Sequence, residues 1–129
     1  MGVESRQHCR LMSVRGVFVN ASEKRTLAPG DVLFTEGDSG TEMFGVVSGQ
    51  IELKHGDRVV ATVGPDETFG EMSLIDQSPR SLTAVAAEAS EIAVINERVF
   101  LFLVHETPTF ALQVMRTLAD HIRELNERL

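Results

Sequence analysis

The chain has 129 residues, of which 43% are hydrophobic, and 19 acidic against 12 basic side chains give a formal net charge of −7. This length fits one domain with an ordinary core, and the composition excludes an intrinsically disordered chain. An acidic surface repels a phosphate backbone, and no run of about 18 apolar residues is present, so we expect neither nucleic-acid contact nor membrane insertion by this chain.

The N-terminal segment carries little structural signal. Residues 1–13 are polar and predict at most a short helix, and they show no signal-peptide pattern. Cys9 is the only cysteine of the chain, which excludes an internal disulfide and suits a reducing compartment. We therefore expect a cytoplasmic protein.

Short apolar segments separated by Gly, Pro, Asp or Ser make up the middle of the chain. They predict antiparallel strands joined by turns, and the Lys-His-Gly-Asp-Arg sequence at 54–58 predicts a hairpin turn. Regular short strands of this kind indicate a β-roll or jelly-roll barrel. The predicted strands cover residues 32–35, 43–47, 50–54, 58–63, 81–87 and 91–95.

Two helices are predicted after the strands. Asn96 can cap a helix that runs to about Val104, and Thr107-Pro108 is typical of the N-cap and first residue of a second helix. The second helix carries one apolar stripe at three- and four-residue steps. The first half of the stripe is expected to pack on the barrel, and its end fits a core contact, a lid over a ligand or a dimer seam equally well. The stripe consists of Leu112, Met115, Leu118 or Ala119, Ile122, Leu125 and Leu129.

The most informative segment is Phe-Gly-Glu-Met-Ser-Leu at 69–74, followed by Arg-Ser-Leu-Thr-Ala at 80–84. The Glu71 carboxylate can accept hydrogen bonds from vicinal sugar hydroxyls, and Arg80 offers planar charged donors that suit a phosphate. Residues 72–75 can form one helical turn whose free N–H groups point at an anion. Together these groups describe a sugar phosphate as ligand.

From about Leu27 onward the chain resembles the cyclic-nucleotide-binding domain family. The resemblance rests on the 69–84 segment, which corresponds to the family's phosphate-binding cassette, and on the sequences at 27–34, 36–38 and 43–49. It implies a mainly β fold with flanking α: an antiparallel β-roll, a short phosphate-binding helix and two C-terminal helices. We expect one domain over residues 1–129, with an N-terminal segment at 1–26, the roll at 27–95 and the helices at 96–129.

The resemblance also implies roles for individual residues. Glu71, helped by the backbone of Gly70, would hold the ribose 2′-hydroxyl, and Arg80 would pair with the exocyclic oxygens of a cyclic phosphate. Serine at the position after the arginine is compatible with cyclic AMP and cyclic GMP, and we favour cyclic AMP. The backbone N–H groups of two serines would complete the phosphate cradle. The full ligand-binding set is Phe69, Gly70, Glu71, Met72, Ser73, Arg80, Ser81 and Leu82.

Two arginines of the last predicted helix, Arg116 and Arg123, are candidates for a lid that stacks over the base by cation–π attraction. Solvent exposure is the alternative for each of them.

Three positions depart from the family pattern. Leu82 stands where alanine is usual, and Ala84 stands where a larger residue is usual. Since residues 80, 82, 84 and 86 share one face of a strand, Leu82 should point inward beside Arg80 and narrow the pocket; Thr83, on the opposite face, is expected to be structural. Asp66 replaces a common glycine, and because aspartate tolerates left-handed backbone the turn should persist.

The sequence thus favours a regulatory sensor with no enzyme activity that binds a cyclic nucleotide and relays binding through its C-terminal helices. In this mechanism Arg80 and the cassette close around the phosphate, shift the packing under the 96–104 helix and reposition the last helix. The last helix would then contact an attached effector domain or a second copy of the chain.

Two other classes stay open. One is a β-roll interaction module in which Leu82 closes the pocket and Glu71 and Arg80 form an ordinary ion pair. The other is a metal-dependent cupin-type enzyme, which normally needs closely spaced histidines on a strand. The histidines here are far apart in the sequence, so no metal or other cofactor is expected. They are His8, His55, His105 and His121.

Overall fold

The computed structural model describes Phe18, Ala21 and residues 23–128. The predictions made for residues 1–13, Cys9, His8 and Leu129, and for the side chains of His121 and Leu125, lie outside the described part. The strands are β1 (Lys24–Leu27), β2 (Val32–Phe34), β3 (Met43–Ser48), β4 (Ile51–His55), β5 (Arg58–Val63), β6 (Thr68–Phe69), β7 (Thr83–Ala86) and β8 (Ser90–Ile95). The helices are α1 (Glu71–Asp76), α2 (Glu97–Glu106) and α3 (Thr109–Arg128).

The strands form two four-stranded antiparallel sheets, in the orders β1-β8-β3-β6 and β2-β7-β4-β5. Apolar side chains from both sheets share one buried cluster, so the main core lies between the sheets. The cluster comprises Leu27, Phe44, Val46, Ile51, Leu53, Val63, Phe69, Ala84, Ala86, Ile92 and Val94. The predicted fold class, mainly antiparallel β with flanking helices, is confirmed.

The two central strands of the first sheet, β3 and β8, are buried on both faces, which explains their nearly continuous apolar sequences. Successive side chains of a strand point to opposite faces. Phe44 and Ile92 therefore face the core between the sheets, whereas Met43, Ala93 and Ile95 face the other way. That outer face joins a second cluster with Phe18, Leu74, Leu103, Phe110 and Val114. The helices thus cover the back of the sheet.

Two strands were not predicted from the sequence. β1 is mostly exposed and carries Lys24 and Arg25, so it lacks the apolar alternation that predicts a strand. β6 has two residues, Thr68 and Phe69, both buried, and is too short for a pattern. Both strands owe their conformation to pairing with β8 and β3, which a local sequence signal does not reveal.

The predicted turns are confirmed. Gly56 and Asp57 join β4 to β5, with His55 paired to Arg58 and a φ of 62° at Gly56. Asp66 adopts a φ of 71°, the left-handed conformation expected of it, and its N–H donates to the Val46 carbonyl at 2.9 Å.

Asn96 caps α2 as predicted, since its side-chain oxygen accepts a hydrogen bond from the Val99 N–H at 2.8 Å. Thr107 was predicted to cap the last helix. It instead ends α2, with its N–H donating to the Leu103 carbonyl at 2.8 Å. The last helix, α3, begins at Thr109.

The prediction that the first half of the apolar stripe packs on the barrel is wrong for Leu112 and Met115 and holds for Leu118. Leu112 is 48% exposed and Met115 is 56% exposed, and Ile122 further along is 59% exposed. The side of α3 that packs on the sheet is centred on Phe110 and Val114, with Leu118 partly buried beside them. The apolar residues on the two sides of α3 have similar spacing along the sequence. Phe18 packs edge-on against Phe110, with ring centroids 6.1 Å apart, and helps to cover the buried side.

No helix in the described ranges is both long and apolar enough to cross a membrane.

The helical cluster gives a direct stability test. Phe110 is fully buried between Phe18 and Phe100, so Phe110→Ala should lower the free energy of unfolding by roughly 3–5 kcal/mol. Phe102, which is 60% exposed, is the matched control, and Phe102→Ala should change it by no more than about 0.5 kcal/mol. Urea unfolding followed by far-UV circular dichroism measures both. Equal losses would contradict this packing.

Candidate functional site

The backbone of Arg80 is held by the turn that follows β2. The Gly37 N–H donates to the Arg80 carbonyl at 2.7 Å, and the Arg80 N–H donates to the Asp38 carbonyl at 2.8 Å. Gly37 has a φ of 92°, which favours glycine. The Glu-Gly-Asp sequence at 36–38 therefore fixes the position of the Arg80 backbone, from which the side chain enters the site.

The Arg80 side chain lies in a slot between the two sheets and is 6% exposed. Its Nη1 donates to the Glu42 carbonyl at 2.8 Å and to the Gly70 carbonyl at 3.2 Å. Its Cζ stands 4.3 Å from the Phe34 ring centroid and 5.3 Å from that of Phe44. These distances allow cation–π attraction to both rings. The guanidinium therefore links the cassette to the strands.

Burial is the main influence on the charge of this group. It lowers the pKa of the Arg80 guanidinium, and the negative charges of Glu42 and Asp38 oppose the shift. An arginine stays protonated at neutral pH all the same. Within the described part of the chain the buried Nε has no hydrogen-bond partner, so the site holds a positive charge with donor capacity to spare.

Glu71 opens α1 directly after Gly70, whose φ of 78° makes the turn into the helix. The Glu71 side chain is 1% exposed. It lies in the same pocket wall as Arg80. The structure therefore brings together the two side chains that the sequence singled out.

The end of α1 is closed by local hydrogen bonds. Gln77 adopts a left-handed φ of 59°, and its N–H donates to the Ser73 carbonyl at 3.0 Å. The Ser73 hydroxyl donates to the Ser78 carbonyl at 2.8 Å. Hydrogen bonds from the Ser78 hydroxyl and then its backbone N–H lower the pKa of the exposed Asp76 carboxyl. These bonds give the loop from α1 to Arg80 a defined shape.

A pocket that is open to solvent lies between α1 and the second sheet. Seven of the eight predicted ligand-binding residues line it: Gly70, Glu71, Met72, Ser73, Arg80, Ser81 and Leu82. Three further lining residues were not predicted: Phe34, Leu53 and Pro79. Phe34 and Leu53 come from other strands, and only the strand register shows that they meet here.

That register accounts for Ala84 and Leu82. Ala84 pairs with Phe34 on β2 and with Leu53 on β4, so a small side chain lies between two large ones. Leu82 packs partly buried against the core and lines the pocket beside Arg80, but both residues precede β7, which begins at Thr83, so their shared strand face is not observed. Leu82 therefore forms part of the pocket wall on this side, and the expected narrowing stays a prediction.

Phe69 and the two lid candidates lie elsewhere. Phe69 is buried behind the pocket, with its ring stacked 5.4 Å from Phe44. Arg116 is exposed, and Arg123 is exposed and pairs with Asp120 at 2.8 Å. Neither arginine lines the pocket, and their role as a lid stays a prediction.

Thr83 has a structural contact, because its hydroxyl accepts a hydrogen bond from the Glu36 N–H at 2.9 Å. The Glu36 carboxylate in turn lies 3.1 Å from the exposed imidazole of His55.

Among the described residues no group of three or more His, Cys, Asp or Glu side chains is arranged to hold a metal ion.

Comparison with known proteins gives the family of this arrangement. Residues 24–107 match the family described as "Cyclic nucleotide-binding domain". The match contains both sheets, α1 and α2. It therefore covers the pocket and every residue that lines it.

Two curated proteins illustrate the relationship. The chain is 34% identical to the "Cyclic AMP receptor protein" of Thermus thermophilus over 83% of its own length and 52% of that protein. It is 38% identical to the "cAMP-dependent protein kinase regulatory subunit" of Eremothecium gossypii over 54% of its length and 15% of that protein. The chain thus spans about half of the first relative and a small part of the second.

A solved structure extends the likeness to the fold. A chain from work described as "A cyclic-GMP-dependent signalling pathway regulates bacterial phytopathogenesis" superposes with a TM-score of 0.70 at 31% identity. The superposition covers 88% of this chain and 91% of that one.

Proposed function

The chain belongs to the cyclic nucleotide-binding domain family, and from this premise we propose that it binds cyclic AMP in the pocket between α1 and the second sheet and acts as a regulatory sensor. The observation that carries the proposal is Arg80, a buried cation at the pocket wall. A cyclic phosphate carries one negative charge, and an arginine in a partly desolvated site binds such an anion strongly.

Glu71 supplies the second half of the recognition. Glu71 lines the pocket at the start of α1, next to the αL turn at Gly70. A carboxylate accepts hydrogen bonds and cannot favour a phosphate, so its proposed partner is a ribose 2′-hydroxyl. Arg80 and Glu71 together select for a ligand that presents an anion and a hydroxyl on one small ring.

The base is the finer part of the proposal. Two curated relatives are named for cyclic AMP, whereas the structural neighbour comes from a cyclic-GMP-dependent pathway. Ser81 lines the pocket and offers a hydroxyl that suits either purine. We favour cyclic AMP because both curated relatives described above are named for it, and one of them aligns over 83% of the chain.

The relay to the helices is proposed to run through Leu74. This residue of α1 is 8% exposed and belongs to the same buried cluster as Leu103 of α2 and Phe110 and Val114 of α3. A ligand that moves α1 must therefore change the packing of the α2 and α3 residues in this cluster, since packed interiors do not deform freely. Binding shifts the helices only by the difference in affinity between the two arrangements.

The outward side of α3 is the proposed output. Leu112, Met115 and Ile122 are exposed there, on the helix that the relay would move. We propose that this side contacts either an attached effector domain or a second copy of the chain.

Calorimetric titration with cyclic AMP, cyclic GMP and 5′-AMP tests the proposed ligand. We expect saturable binding of cyclic AMP, weaker binding of cyclic GMP and none of the non-cyclic control. Arg80→Glu should abolish binding because it places a carboxylate beside the phosphate, and Arg80→Lys should weaken it. Arg58→Glu, on the exposed hairpin, should bind as the wild type does.

Circular dichroism must show that the Arg80 variants keep their fold. If none of the three nucleotides binds, the result would favour an interaction module whose pocket Leu82 has closed. Unchanged affinity in a folded Arg80→Glu variant would rule out the assigned phosphate site.

The role of Glu71 is tested with a ligand that lacks the hydroxyl. Glu71→Gln should weaken cyclic AMP binding by roughly 10- to 100-fold, the cost of a lost hydrogen bond to a charged group. It should leave the affinity for 2′-deoxy cyclic AMP unchanged, and Glu88→Gln on the surface should affect neither ligand. A similar loss for both ligands would show that Glu71 acts on the fold of α1 and not on the ribose.

The relay is tested on α1 with two substitutions. Leu74→Ala should keep cyclic AMP binding but remove the response of an environment-sensitive dye at position 115, attached in a Cys9→Ser, Met115→Cys background. Ile75→Ala, at a neighbouring position that is 55% exposed, should keep the response. A Leu74→Ala protein that responds like its parent would show that the signal takes another route.

A further inference from the structure

Gly40 lies in the connection between β2 and β3, directly beside the guanidinium of Arg80. A Cβ placed on Gly40 would lie 2.5 Å from Nη2, 2.6 Å from Nε and 2.7 Å from Cζ of Arg80. Carbon atoms of real side chains do not approach other heavy atoms this closely. Gly40 does not line the pocket, so it would not touch a ligand there.

Backbone conformation does not explain the glycine at this position. Among the described glycines, those with positive φ are at positions 30, 37, 49, 56 and 70, and Gly40 is not one of them. Gly70, by contrast, combines a φ of 78° with a Cβ position 3.0 Å from Nη1 of Arg80, so its backbone alone calls for glycine. At Gly40 the requirement comes from the space that the guanidinium occupies.

The guanidinium cannot move aside without losing its supports. Nη1 is tied to the carbonyls of Glu42 and Gly70, and Cζ lies over the ring of Phe34. The backbone of Arg80 is itself fixed from both sides by the 36–38 turn. A methyl group at position 40 would therefore displace the guanidinium from its slot.

We propose that Gly40 is a positioning residue for the phosphate-binding arginine: its missing side chain forms the back of the slot that holds the guanidinium at the pocket wall. The inference rests on the proposed function of Arg80. It makes position 40, outside the pocket, a determinant of cyclic nucleotide affinity.

Gly40→Ala tests the proposal, with Gly64→Ala as the matched control. Gly64 also lacks a positive φ, and a Cβ there would meet its neighbours at ordinary distances of 3.7 and 3.8 Å. Gly40→Ala should weaken cyclic AMP binding at least about tenfold, as expected when a hydrogen bond to a charged group is weakened. Gly64→Ala should bind as the wild type does.

A double-mutant cycle separates positioning from a general effect on the fold. Lysine has no planar fork, so in an Arg80→Lys background the methyl group at position 40 has no guanidinium to displace, and Gly40→Ala should then change affinity less than about twofold. An equal loss in both backgrounds, or no loss in either, would overturn the proposal. Should Gly40→Ala alone fail to fold, adding Arg80→Lys is expected to restore folding, and continued failure would overturn the proposal as well.

A second readout needs no ligand. The side-chain Nε–H resonance of Arg80, measured by NMR, should shift in Gly40→Ala and stay in place in Gly64→Ala; an unmoved resonance would contradict the proposal. If the wild-type protein binds no nucleotide, the proposed function fails, while this resonance still decides whether Gly40 positions Arg80.

Discussion

The site depends on one constraint, a guanidinium that is almost fully buried between two sheets. Removing a charge from water costs several kcal/mol even after the protein relaxes, unless other groups compensate. Here the compensation comes from the carbonyls of Glu42 and Gly70, from the rings of Phe34 and Phe44, and from nearby acidic charges. The compensating groups come from three segments, at 34–38, at 42–44 and at Gly70, so burial of Arg80 requires the turns and strands around it to be in place.

The same constraint divides the site into a fixed part and a part that can respond. Arg80 is held by its backbone and its side chain, on the side of the sheets. Glu71 is carried by α1, a six-residue helix with left-handed residues at both ends, whose contact with the rest of the fold includes Leu74 in the helical cluster. In the proposed mechanism, a ligand that joins Arg80 to Glu71 would therefore pull α1 toward the sheets more readily than it would pull the arginine outward.

Much of the fold could be predicted from the sequence because local signals and tertiary contacts agree. Short apolar segments bounded by turn residues predicted β4 and β5, the glycine and aspartate at 56 and 57 predicted the hairpin, and Asp66 adopts the backbone that its residue type tolerates. The cassette residues met in one pocket because they lie within 15 positions of one another. Phe34, Leu53 and Gly40 were missed because strand pairing and a loop bring them to the site, and no local pattern reports either.

The wrong assignment on α3 has a physical cause that bears on function. A helix with apolar residues at 110, 114 and 118 and also at 112, 115 and 122 has two apolar sides, and periodicity alone does not say which one meets the sheet. Phe110 is selected because Phe18 and Phe100 enclose it, and Leu112 and Met115 are thereby left outside. A hydrogen bond from the Gln113 side chain to the Asp66 carbonyl, at 2.9 Å, ties this helix to the turn between β5 and β6. The exposed apolar side thus stands on a helix anchored both to the roll and, through Leu74, to the cassette. Any rearrangement of α1 that repacks the cluster must therefore change the position of the exposed apolar side of α3.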